Sequence, residues 1–390
     1  MRTTPGWLRF LGKSLSYLLV AALASALTFA MTSQDDSKLQ ELETVIAEKF
    51  IGQADVEHIR DAAASAMVDA LGDQWSYYVS AEEYAAYVEN KNNSYVGIGV
   101  TVAQLPDGSG FDIQQVDPGG SAKEAGILPG DVIVAVEDTP AAELDLNGIR
   151  DKIRGEENTC VTLTILRDGE EKPFVLQRRT IKVVVASGEM LPGDIGLVQI
   201  TNFHSGCAKE AIALIGQLQE QGAKALILDV RNNPGGYVHE MVGLLDHLLP
   251  EGVLFREVDY KGNEGQRVSD ADCLELPMVV MVNGNSYSAA EFFAACLREY
   301  EWAAVVGEKT TGKGYYQEAV RLSDGSAVNL STGKYFTPNG VSLTEVGGIT
   351  PDTVISVDED TAAMIYGKLL PAEEDPQIRA AMEILAEKMG

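Results

Sequence analysis

The chain has 390 residues, 45% of them hydrophobic and 23% charged, with 38 Gly and 14 Pro. That composition suits two or three globular domains and excludes a collagen, a low-complexity chain and a multi-span membrane protein. The formal net charge is −28, and beyond residue 34 there are 27 bases against 58 acids, a net of −31; a body this acidic repels phosphate backbones and anionic lipid, which excludes a nucleic-acid partner.

Residues 1–34 carry Arg2, Arg9 and Lys13 and no acid, ahead of an apolar run from about Leu15 to Met31. Those 17 residues sit at the lower limit for a bilayer-spanning helix. The order of charges puts the start of the chain in the cytoplasm and the acidic body outside. An uncleaved signal anchor over 1–34 is the favoured reading, and a cleaved signal peptide the alternative. The expected location is the cell membrane, single-pass, with the body extracytoplasmic.

A helical region is predicted over 35–92. KLQELETVIAEKF and VEHIRDAAASAMVDAL place apolar residues at helical spacing. Gly72 to Tyr78 interrupts them, and Ser80 with Glu83 three residues on forms a capping box for the next helix. Short strands and turns follow over 93–182, ending in a hairpin around Asp168-Gly169. From 183 to 356 apolar strands (IGLVQI, ALILDV, PMVVMVN, AAVVG) alternate with helices, the pattern of a sheet covered on both faces. Residues 357–390 read as a helical, acidic tail. The four Cys are scattered with no CxxC, so zinc-type spacing is absent and no metal is expected. Cys296 reads as a small core residue.

Four segments offer chemistry. Gly97-Ile98-Gly99-Val100 lets successive N–H groups converge on a carboxylate, and a peptide can then pair beside 99–103. Followed by DPGGSAKEAGILPGDVIVAVED, this stretch resembles a PDZ domain. Asp229 to Gly236 ends an apolar strand with Pro-Gly-Gly, which is either an oxyanion site or a tight βα turn. Ser286 and Ser288 stand where a strand passes into a helix; each is a nucleophile candidate or an N-cap, one role apiece. Gly307 to Gly314 mimics a P-loop, but Gly314 replaces the Mg²⁺-binding hydroxyl and a strand follows, so a nucleotidase is disfavoured. A serine needs a base. His204 and His239 are the nearby histidines and neither lies in a triad motif; Lys313 suits the role if burial lowers its pKa from about 10.4.

Taken in order, SYYVSAEEY, the PDZ-like segment, DVRNNPGG, NSYSAAE, GEKTTGKGYYQ and YFTPNGVSL…GGITPD resemble the carboxy-terminal processing peptidases, over about 38–356. The resemblance implies a crotonase-like spiral α/β core with an embedded PDZ domain, and helical ends able to form a homodimer. It implies Ser288 as nucleophile, Lys313 as base and Gln317 as the residue orienting it. The implied oxyanion donors are the N–H of Ala289 and one from Gly235-Gly236. Tyr287 stands where the family often has Ala, which bears on side-chain preference. No cofactor is implied, and the partners are proteins with free, mostly apolar C-termini. A catalytically inactive PDZ scaffold of the envelope is the alternative.

Overall fold

The structure, a computed structural model, describes residues 37–367 and 369–390. It divides into two units, one ending at Gly72 and one running from Asp73 to Gly390. In the first, α1 (Ser37–Lys49) and α2 (Val56–Asp69) are joined by a paired Arg60–Glu43 contact, both bonds 2.9 Å. Asp55 caps α2 by accepting from His58 N–H. Among the described residues no helix is long and apolar enough to cross a membrane. The anchor expected over 1–34 lies outside the described residues.

The second unit opens with a strand where the sequence suggested only a break between helices. β1 (Tyr77–Val79) pairs antiparallel with a strand about 250 positions away, Tyr77 opposite Asn329. Three residues carry too little periodicity to be read as a strand. α3 (Ala81–Lys91) follows, with the Ser80–Glu83 capping box in place.

β2 (Ser94–Gly97), β3 (Val100–Gln104) and β4 (Phe111–Val116) come next, then α4 (Ser121–Glu124), β5 (Val132–Val136) and β6 (Thr139–Pro140). After α5 (Leu146–Ile153) the hairpin β7 (Cys160–Arg167) and β8 (Glu170–Gln177) turns at Asp168-Gly169, and β9 (Arg179–Lys182) ends the region. The sheet runs β3-β4-β5-β7-β8, so β3 is an edge strand. Its core holds Phe111, Ile113, Ile133, Leu163 and Ile165, the inward alternation of each strand. β2 pairs with β9, so the chain enters and leaves this region side by side.

The remaining chain builds an α/β layer. β10 (Ala186–Leu191), β11 (Ile195–Ile200), α6 (Cys207–Glu220), β12 (Ala225–Asp229) and α7 (Val238–Leu248) come first. β13 (Gly252–Asp259), β14 (Glu264–Ser269), β15 (Met278–Val282), α8 (Ala289–Glu299) and β16 (Ala303–Gly307) follow. The chain then forms β17 (Tyr315–Arg321), β18 (Ala327–Phe336), α9 (Leu343–Val346), β19 (Thr353–Val354), α10 (Glu359–Tyr366) and α11 (Pro376–Met389). The sheet order is β10-β11-β12-β15-β16-β19, parallel from β11 on. Every side chain of β12 and β15 is buried, as unbroken apolar runs require. Helices α6, α7 and α8 cover one face, while Ile378, Ala381 and Leu385 of α11 cover the other. A second sheet, β1-β18-β13-β14 with β17 on β18, stands beside this layer.

Candidate functional site

The site forms where β12 and β15 end at their carboxyl tips, the usual opening of an α/β sheet. β15 runs out at Val282, and Asn283 to Tyr287 turn the chain into α8. Ser286 is fully buried in that turn. Its Oγ donates to Val230 O at 2.8 Å and accepts from Asn283 N–H at 3.0 Å. Ser288 occupies the N-cap position with φ +57° and ψ −125°, a sparsely populated conformation for a residue with a Cβ. The Glu291 N–H donates to the Ser288 backbone carbonyl at 2.9 Å. The Ser288 N–H donates to Glu291 Oε2 at 3.1 Å, and Ser288 lines a cavity of about 690 Å³. The two serines thus divide otherwise than expected: Ser286 locks the turn, and Ser288 holds both the N-cap position and the cavity.

Lys313 and Gln317 line the same cavity, with Trp75, Lys91 and His204. The Lys313 amine lies 4.5 Å from the Trp75 ring centre and 5.9 Å from that of Tyr287. Burial removes it from water and is the main cause that brings its pKa down to about 8. The positive Lys91 adds to the depression, while Asp73 and Glu291 oppose it. Gln317 Nε2 donates to Tyr315 O at 3.1 Å and to Ser331 Oγ at 3.0 Å. These bonds fix the amide with its nitrogen turned to the β17–β18 pair.

Glu291 ties the two loops together. It is fully buried, and its carboxylate accepts from Ser288 N–H, Gly312 N–H at 2.7 Å, Lys313 N–H at 2.8 Å and the Thr310 hydroxyl. Burial raises its pKa, and those four bonds act against the rise. The residue is visible in the sequence as the acid of S-x-S-A-x-E, but its reach to residues 310–313 is not.

The Pro-Gly-Gly turn packs directly on the serine. A Cβ at Gly235 (φ +85°) would sit 2.8 Å from Ala289 N and from Ser288 Cβ, so no other residue fits. Gly235 N–H donates to Asn233 Oδ1 at 2.8 Å and so is already engaged. Gly236 lies beside Phe203, whose carbonyl accepts from Tyr237 N–H. Below the turn, Arg231 is buried between Asp229 (2.7 Å) and Asp375 (2.8 Å), with Gln377 also accepting at 2.8 Å. Burial opposes the guanidinium charge, but the two carboxylates more than offset it and hold Arg231 protonated.

The histidines stand apart from the serine's needs. His204 Nδ1 faces Asn90 O at 3.0 Å, and a carbonyl only accepts, so Nδ1 carries the proton. Nε2 then accepts from Lys91 Nζ at 3.4 Å. Burial, with Lys91 assisting, lowers the His204 pKa to about 4. His239 is exposed and stacks on Tyr237 at 5.2 Å.

Away from this cavity, Gly97 ends β2, Ile98 is buried, and Gly99 has φ +79°. A Cβ on Gly99 would meet Gly120 Cα at 2.7 Å, so close backbone approach alone calls for glycine there. Val100 opens the edge strand β3. Cys296 packs in the core and its Sγ donates to Leu254 O at 3.2 Å.

Residues 194–355 match the model of peptidase family S41, and residues 113–167 that of a PDZ domain. The carboxy-terminal processing protease CtpA of Bacillus subtilis is 33% identical over 341 residues, covering 83% of this chain and 72% of that one. The chain belongs to the carboxy-terminal processing proteases. A carboxyl-terminal-processing protease of Synechocystis sp. is 30% identical over 330 residues, with 83% of this chain and 76% of that one covered. A crystal structure of a Bacteroides fragilis chain assigned to the S41 proteases shares the fold at a TM-score of 0.51 and 17% identity, covering 83% and 90%. This processing protease is therefore a serine-type peptidase with a mixed α/β S41 fold and a PDZ domain.

Proposed function

We propose that the protein cleaves polypeptides with a Ser288–Lys313 dyad and selects them by their C-termini. The observation that carries this reading is one cavity holding a strained Ser288 and a half-buried Lys313 whose pKa lies near 8, both loops tied to Glu291. Neutral Lys313 takes the Ser288 Oγ proton as Oγ attacks the scissile carbonyl. The oxyanion rests on the N–H groups of Ala289 and Gly236, since Gly235 N–H is engaged. Collapse expels the amine, protonated by Lys313, and leaves an acyl-Ser288 ester. Lys313 then draws a proton from the water that hydrolyses it. Gln317 has its amide oxygen left to steady the lysine, because its nitrogen is engaged by Tyr315 and Ser331.

The PDZ match starts past the GIGV loop, so peptide capture there rests on the loop and on the unpaired edge of β3. A free, mostly apolar C-terminus would add as a strand beside β3, its carboxylate on the N–H groups of Ile98, Gly99 and Val100. We further place the protein outside the cytoplasm on its own N-terminal anchor, from the charge order of residues 1–34. A crotonase-like spiral core and a homodimer through helical ends belong to the same reading.

The test is cleavage of an unstructured substrate by purified protein. Ser288→Ala should abolish it and Ser286→Ala should leave a measurable rate; a fully active Ser288→Ala protein would overturn the dyad. On the Ser288→Ala chain, amidating a peptide's C-terminus should weaken binding in fluorescence polarisation. Equal affinity for acid and amide would remove the loop from recognition.

A further inference from the structure

The cavity holds two amines. Lys91, at the end of α3, and Lys313 both line it, and among the described residues no carboxylate lies within ion-pair distance of either. Lys91 is held in place. Its amine reaches the His204 Nε2 lone pair at 3.4 Å and lies 5.6 Å from the Tyr87 ring centre. His204 cannot turn away, because its other nitrogen is bound to Asn90 O, the residue just before Lys91. Two like charges lining one cleft oppose each other, so one amine gives up its proton more readily. Burial lowers the pKa of Lys91 as well, against which the lone pair and the aromatic face both favour its charged form.

With Lys313 as the base proposed for this site, we infer that the Lys91 ammonium, moored by His204, is a fixed positive charge that keeps the Lys313 amine free of its proton. Lys91 is a positioning residue in this scheme; it need not touch the substrate. The other groups facing Lys313 pull the opposite way. Asp73, from the loop before β1, and Glu291, from α8, both favour the ammonium. Their oxygens are already held: Asp73 by the Ser76 hydroxyl at 2.6 Å and Trp75 N–H at 3.2 Å, Glu291 by its four donors. The Trp75 and Tyr287 rings also favour the ammonium. Four groups that favour the ammonium of a base that must be neutral leave a place for a nearby cation. Around Lys91 itself stand Tyr87 and the neutral His204.

Two measurements on the full chain test this. The first is the pH profile of kcat/KM for a short uncharged peptide. Lys91→Met should move its midpoint up by about one pH unit, a loss of about tenfold well below the midpoint, with the alkaline plateau kept. Lys91→Arg, which keeps the charge, should restore the wild-type midpoint. The second needs no activity: in the Ser288→Ala protein, the pH dependence of Lys313 acetylation by acetic anhydride, read by mass spectrometry, should shift by the same amount on Lys91→Met. If Lys91→Met does not fold, Lys91→Gln is read in its place. Unmoved midpoints in both measurements overturn the inference, as does a change confined to KM for acidic substrates, which would make Lys91 a substrate contact. An active Lys313→Arg enzyme would instead remove the base, while the acetylation profile would still report the coupling of the two amines.

Discussion

Lys313 carries opposite demands at pH 7. An amine with a pKa near 8 is mostly charged there, yet only its neutral form could act as the base proposed for Ser288. The rate constant kcat/KM should therefore rise with pH as a single ionisation centred near 8, and Lys313→Arg should be inactive at every pH, because guanidinium does not lose its proton. A midpoint near 6.5 that vanished with His204→Ala would assign the base to histidine. Stability follows from the same shift. The unfolded lysine titrates near 10.4 and the folded one near 8, so between these values the unfolded chain binds more protons and stability rises with pH. Below about 8 the penalty of the buried ammonium is fully present. Lys313→Met should accordingly raise the melting temperature at pH 7, with a gain on the order of 1–3 kcal/mol that fades as pH approaches 10.4. Calorimetry at pH 7 and 10 checks it. Ser288 and Lys313 stand out in the sequence beside small or glycine neighbours, and Gln317 only through the family resemblance; all three line one cavity. Lys91 and Trp75 are not legible there, since their meaning depends on partners far along the chain; Lys91 meets His204 across 113 positions.

Among the elements, the strands β11, β12, β15 and β16 read directly off their apolar runs, because both faces of the sheet are covered. β13 and β14 escape such a reading: their mixed, half-exposed side chains, as in GVLFREVD and EGQRVS, show no period that separates them from loop. α11 is legible as a helix, but not its attachment. Its N-cap Asp375 and first-turn Gln377 bond to Arg231, directly below the turn that packs on Ser288. Asp375→Ala should therefore cost stability, about 3 kcal/mol, by leaving the buried guanidinium with one carboxylate in place of two. It should also lower kcat by loosening residues 232–236. Chemical denaturation together with steady-state kinetics separates the two effects; unchanged values of both would show α11 to be a passive cover.

At the scale of the whole molecule, β2 and β9 clasp the two ends of the PDZ-containing segment, so the sequence between them is an insertion whose removal need not strain the core. Replacing residues 98–178 with a short glycine-rich linker should leave a folded enzyme that still cleaves short peptides but no longer distinguishes acid from amide C-termini. Loss of the cooperative thermal transition in that deletion would show the segment to be structural. The parallel sheet has a different dependence. One of its faces is covered by helices that alternate with its strands, the other by Ile378, Ala381 and Leu385 of α11, which follow Ser288 by about ninety positions in the chain. A ribosome making this protein therefore finishes the serine, the lysine and every strand of that sheet before the helix that seals its second face. Until then Leu197, Ile227, Val279 and Met281 stay open to water, and Arg231 waits for its second carboxylate. The nascent chain thus carries Ser288 and Lys313 on an unfinished floor, and the cleavage proposed for them should wait until α11 has been made.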